Sequence, residues 1–152
     1  MKRINCCQLF TNLFTLAILC LTSFGFSAKM GLDSYEIYLN KELILKQTVN
    51  QPLSLRKLEL GKANVADQLH IKYRHCTEKG VGSDRSIVLK DQKGTTLKKW
   101  IFANTSGSDL NMTISVKELW QLRDAKENQQ LSLFYEAREL PKGETLAFIR
   151  YK

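Results

Sequence analysis

The chain has 152 residues, of which 43% are hydrophobic and 25% charged. That is one domain's worth of sequence with enough apolar side chains for a core of its own, which excludes a chain disordered over most of its length. A formal charge of +8, from 23 Lys and Arg against 15 Asp and Glu, makes it moderately basic without the clustered cations of a nucleic-acid binder.

Lys2 and Arg3 form a short positive region, residues 9–24 are mostly apolar, and Gly25, Ser27 and Ala28 supply small residues after them. This is the layout of a secretory signal peptide. Residues 1–28 are expected to be removed, with cleavage after Ser27 or Ala28, leaving residues 29–152 as the exported domain in the periplasm or cell exterior. Thr11, Asn12 and Thr15 interrupt the apolar run, which falls short of the roughly 20 residues a membrane span needs, and no transmembrane span is expected in the mature chain. Leu19, before Cys20, is too large for lipoprotein processing. No acid precedes Asp33, so losing Lys2 and Arg3 leaves 21 basic residues against 15 acidic ones, a net +6. Cys6, Cys7 and Cys20 leave with the signal. Cys76 is then alone and no internal disulfide can form; a lone thiol is either buried and inert or pairs between molecules.

From Ser34 onward short strands follow one another. SYEIYLN alternates Tyr35, Ile37 and Leu39 with polar positions, and Asn40-Lys41 suits a tight turn into ELILKQTV. PLSLRKLEL alternates, slips one residue and resumes at Leu58 and Leu60, which suggests a bulge near Arg56-Lys57. DQLHIKYRHC places Leu69, Ile71, Tyr73 and His75 on one face. The organising hairpin is RSIVLKDQKGTTLKKWIFA, residues 85–103, with Gly94 where the turn needs positive φ and Asp91 able to bond the turn backbone. NMTISV follows, and a capping-box pattern, Ser115 to Glu118, opens one short helix over about residues 116–125. Leu131, Leu133, Tyr135 and Ala137 alternate in the next strand; Leu140-Pro141-Lys142-Gly143 reads as a turn and ETLAFIRY as the last strand. The fold class is all-β: a single antiparallel β-sandwich of eight or nine strands with one short helix, a small barrel being the alternative with the same alternation.

Chemical signatures are sparse. His75 and Cys76 are adjacent on a strand and point to opposite faces, so they do not converge on a metal or form a nucleophile-base pair. No catalytic residue, metal or cofactor is assigned. The loop over residues 79–86 sets Lys79, Gly80, Gly82 and Arg85 where amides and cations can surround an anion, or is a plain connector. Trp100 offers either a sugar-stacking ring or core packing, as does Trp120. Asn104-Thr105-Ser106 and Asn111-Met112-Thr113 match the glycosylation acceptor pattern, which matters only in a eukaryotic secretory route.

The stretches HCTEKGVGSDRSIVLKDQKGTTLKKWIFA, GLDSYEIYLN and ELILKQ resemble a group of small exported, uncharacterised proteins of Bacteroidota, the likeness running from Gly31 to about Tyr151. It implies a Gram-negative envelope location and carries no activity, cofactor or functional residue. The reading is an exported, non-enzymatic module that binds an envelope or extracellular component, whether protein, glycan or anionic ligand, with a secreted hydrolase or a self-associating structural subunit as alternatives. No nucleic-acid partner is expected.

Overall fold

Alternation of apolar and polar residues dictates the architecture: each strand has one face to bury, and two sheets bury those faces against each other. The structure, a computed structural model, describes residues 31–62, 65–76, 82–104, 111–124 and 129–152. Residues 1–28, Lys79 and Gly80 lie outside them. The described residues belong to one compact unit, Gly31–Lys152.

Among the described residues, nine strands and one α-helix follow in the order β1 (Ser34–Leu39), β2 (Glu42–Thr48), β3 (Lys57–Leu60), β4 (Gln68–Arg74), β5 (Ser86–Lys90), β6 (Thr96–Ile101), β7 (Asn111–Ser115), α1 (Val116–Asp124), β8 (Leu131–Ala137) and β9 (Leu140–Tyr151). A four-stranded sheet has the order β2-β1-β4-β7 and a five-stranded sheet the order β3-β9-β8-β5-β6. The sheets do not merge into a barrel, so the all-β sandwich is the fold. Every pairing is antiparallel except one: β3 runs parallel to β9, with Leu58 opposite Ile149 and Leu60 opposite Tyr151.

Between the sheets lie Ile37, Leu69, Ile71 and Met112 from one side and Leu58, Ile87, Leu89 and Leu133 from the other, all essentially solvent-free. Helix α1 adds Val116, Leu119 and Trp120 to the same core. Trp120 packs edge-on against Tyr151, their ring centroids 4.9 Å apart. The Tyr151 hydroxyl donates to the Leu119 carbonyl at 3.1 Å, fastening the helix to the end of β9.

The turns obey the chemistry of their residues. Asn40 takes φ +54° between β1 and β2, and its side chain bonds Asp67 and the Gln68 amide. Gly94 takes φ +82°, while the Asp91 carboxylate accepts from the amides of Lys93 and Thr95, both at 2.9 Å.

Two local readings need correction. The slip near Arg56-Lys57 is not a bulge: Leu53–Leu55 forms a single 3-10 turn and the strand begins only at Lys57. Arg56 leaves the strand pattern because its guanidinium turns inward. The last turn also lies earlier than Leu140-Gly143. Leu140 already pairs with Ala137, so the chain reverses at Arg138 and Glu139 and Gly143 sits within β9.

There Gly143 has φ +61°, and a Cβ on it would overlap the Phe134 ring and stand 2.8 Å from the Tyr135 carbonyl oxygen. Both the left-handed backbone and the close approach demand glycine. Gly143→Ala is therefore expected to lower stability by about 2–4 kcal/mol, read as a shift of the urea midpoint at unchanged slope; a shift within error would remove the packing argument.

Candidate binding face on the five-stranded sheet

The two outer faces differ in kind. On the four-stranded sheet the outward side chains satisfy one another as a solvated polar face does: Lys46 pairs with Glu36 at 2.8 Å, Tyr38 donates to Glu36 at 2.7 Å, and His70 meets the Thr113 hydroxyl at 2.9 Å. The five-stranded sheet pairs its charges too, but sets them beside apolar side chains. Its outward positions include Ser86, Val88 and Lys90 of β5, Phe134 and Glu136 of β8, and Lys99 and Ile101 of β6.

Register brings these into rows: Val88 lies between Lys99 and Phe134, and Ser86 between Ile101 and Glu136. Val88 and Ser86 are only 1% exposed, with longer side chains on the neighbouring strands beside them. Lys99 reaches across β5 and donates to Glu136 at 2.7 Å. Lys90 lies 4.0 Å from the same carboxylate, and its ammonium sits over the Phe134 ring, 3.3 Å from the centroid. The Lys99 hydrogen bond outweighs burial and holds the Glu136 carboxyl below the usual carboxylate range, with Lys90 and Ser86 assisting. At the rim Arg138 pairs with Asp84 at 3.0 Å.

Three open clefts occupy this face. One of about 440 Å³ is bounded by Ser86, Lys90, Glu136, Arg138 and Lys142 among others. A second, of about 410 Å³, shares Asp84, Ser86 and Lys99 with the first and continues to Ile101 and Asn104 on the β6 side. A third, of about 350 Å³, runs from Lys90 along Phe134 toward Phe148. Strands lie about 4.8 Å apart, so a ligand crossing from β9 to β6 spans about 14 Å.

The residues singled out in the sequence take other places. Gly82 is buried, and a Cβ there would stand 2.6 Å from both His75 Nε2 and the Tyr135 hydroxyl. Arg85 is 2% exposed and donates to the Ala103 carbonyl at 2.8 Å. Trp100 is half-buried on the inner side of the sheet, where its indole N–H donates to Glu118 of α1 at 2.8 Å. The Glu118 carboxylate thus serves Trp100. Gly82, Arg85 and Trp100 do not meet in a common site.

Sequence reasoning missed a buried polar cluster that Gly82 covers. His75, 3% exposed, places Nδ1 3.2 Å from Asp33 Oδ2 and Nε2 3.0 Å from the Tyr135 hydroxyl. Asp33 also accepts from the Tyr73 hydroxyl at 3.0 Å and the Cys76 amide at 2.7 Å. Tyr73 stacks on Tyr135 with centroids 4.1 Å apart. The available signal was His75 on the apolar face of its strand, since a buried imidazole needs partners for both nitrogens. The order acid, imidazole, hydroxyl is that of a nucleophilic triad, but Tyr135 is 0% exposed and a substrate atom cannot approach its oxygen. His75 and Cys76 both lie past the end of β4, and Cys76 is exposed. Among the described residues no group of three or more His, Cys, Asp or Glu is placed to hold a metal, and no helix is long and apolar enough to cross a membrane.

No family model, curated protein or solved structure matches the chain.

Proposed function

We propose that the chain is an exported, non-enzymatic binding module that holds an acidic glycan of the cell envelope across the outer face of its five-stranded sheet. The observation that carries this is the lining of the adjoining clefts: Lys90, Lys99, Arg138 and Lys142 against Asp84 and Glu136, with Ser86 between them. Four cations and two acids suit a ligand that is anionic overall, while fixed carboxylates beside fixed ammonium groups suit hydroxyls, which donate and accept. Phe134 is not a stacking platform, because Lys90 covers one side of its ring and Gly143 packs against it. Charge and hydrogen bonding are left to supply the affinity. Export rests on Lys2, Arg3 and the apolar residues 9–24, and on the likeness to exported Bacteroidota proteins.

The test is a titration of oligogalacturonate into the protein, followed by amide resonances, beside its fully methyl-esterified form. Shifts confined to residues of β5, β6, β8 and β9, weakening as salt rises, support the reading. The double variant Arg138→Glu/Lys142→Glu is expected to bind about tenfold more weakly, the loss of two favourable rim charges and the gain of two repulsive ones. Equal binding of the esterified sugar, or shifts on the four-stranded sheet, would sink it.

A further inference from the structure

Residues 82–84 join the buried His75 cluster to the wall of the ligand cleft. Gly82 rests on His75 Nε2 and the Tyr135 hydroxyl. Ser83 is clamped beside it, its amide and hydroxyl donating to Glu139 at 2.8 and 2.6 Å and its carbonyl accepting from the Arg138 amide at 2.9 Å. Asp84, at φ +52°, donates its amide to Asn104 Oδ1 at 2.7 Å and holds Arg138 at the cleft rim. A displacement of Gly82 therefore arrives at Arg138 within two residues.

A carboxylate oxygen only accepts hydrogen bonds, so Asp33 fixes the proton of neutral His75 on Nδ1 and leaves Nε2 to accept the Tyr135 hydroxyl. Adding a proton makes Nε2 a donor. The hydrogen bond must then reverse, and the phenol proton must turn toward the Gly82 main chain that packs against it. Among the described residues, the groups facing the imidazole are Asp33 before β1, Tyr73 of β4, Tyr135 of β8 and Glu139 in the β8–β9 turn; Arg85 acts on Tyr135. The Tyr135 reversal is what the arrival of that proton forces.

We propose that protonation of His75 displaces residues 82–84, loosens the Asp84–Arg138 wall and releases the glycan, making the module a pH-gated binder. This rests on the binding reading above. Unspecific electrostatics has the opposite sign, because acidification makes the protein more positive and tightens anion binding.

The experiment compares oligogalacturonate affinity at pH 7.5 and 5.5, where the sugar carboxylates remain ionised, for the wild type, His75→Gln and His70→Gln; His70 and His75 are the two histidines of the chain. Alongside it, the ring protons of His75, the Asp84 amide and the Arg138 guanidinium are followed by pH titration without ligand. The expected result is about tenfold weaker binding at pH 5.5 for the wild type and His70→Gln, a coupling of ordinary size, and less than about twofold for His75→Gln. Asp84 and Arg138 should shift with the His75 midpoint. If His75→Gln does not fold, Tyr135→Phe, which removes the proton that must turn, is expected to uncouple Asp84 from the ring. Affinity that rises on acidification, or a titrating His75 with Asp84 and Arg138 unmoved, overturns the proposal. Absence of binding at both pH values overturns the glycan reading alone, since the ligand-free titration still decides the coupling.

Discussion

Arg56→Ala is expected to cost about 4 kcal/mol of folding stability, a large part of the 5–15 kcal/mol a domain has. Arg56 is 2% exposed. Its guanidinium donates to the carbonyls of Thr145, Val49 and Gln51 at 2.5, 2.7 and 3.0 Å and pairs with the Glu144 carboxylate. It also lies 5.9 Å from the centroid of the Tyr35 ring. One side chain thus ties the end of the β2 connection to the middle of β9. Alanine would leave three carbonyls and a carboxylate without their donor, and the cost of such orphans, rather than the strength of the ion pair, sets the magnitude. Arg56→Lys, which carries the charge but not the planar fork of donors, should lose about half as much. Urea unfolding of both variants is the measurement. If alanine cost less than about 1 kcal/mol, Arg56 would be a replaceable filler and not the joint between these segments.

The second large effect is alkaline. Burial pushes Tyr35 up to about 12, with Arg56 opposing and Glu144 adding. Burial also raises Tyr73, helped by the Asp33 charge, and Tyr135, where Arg85 opposes it. All three are no more than 1% exposed. An unfolded tyrosine ionises near pH 10, so above that pH the unfolded chain releases three protons that the native state retains. The stability they contribute is complete below pH 10 and drains away as pH climbs toward and past 12, at up to about 4 kcal/mol per pH unit for the three together. Urea midpoints taken from pH 9 to 12 should fall at that pace, and Tyr35→Phe should reduce the slope by about a third. Phenolate absorbance near pH 10 from more than two of the chain's five tyrosines in the still-folded protein would contradict it.

Much of the fold was legible because period-two alternation survives wherever a strand has one wet face. Leu69, Ile71, Tyr73 and His75 are all buried as their spacing demands, as are Leu131, Leu133, Tyr135 and Ala137. Asn40 and Gly94 announced their turns because only certain residues tolerate positive φ. What stayed hidden is what depends on residues far apart in the chain. Nothing near Lys57 says that it pairs with β9, and parallel to it, while the 3-10 turn at Leu53–Leu55 mimics the same alternation. The candidate face was hidden for a related reason. Lys90, Lys99 and Glu136 look like scattered surface charges until the β5–β6 and β5–β8 registers place them side by side. His75 drew notice for its neighbour Cys76, whereas its true partners, Asp33 and Tyr135, lie 42 and 60 positions away.

The placement of β9 bears on when the domain can exist at all. This strand holds β8 on one side and β3 on the other, and it supplies Leu146, Ala147 and Ile149 to the core. A nascent chain that has produced everything up to β8 has β3 with nothing to pair with, the Arg56 guanidinium without Glu144 and Thr145, and one wall of the core missing. Assembly therefore waits for β9 to be synthesised, and a chain cut short before it cannot close the core. For the exported module proposed above, that delay would be a benefit: a translocation channel that accepts only extended polypeptide would meet it in that form.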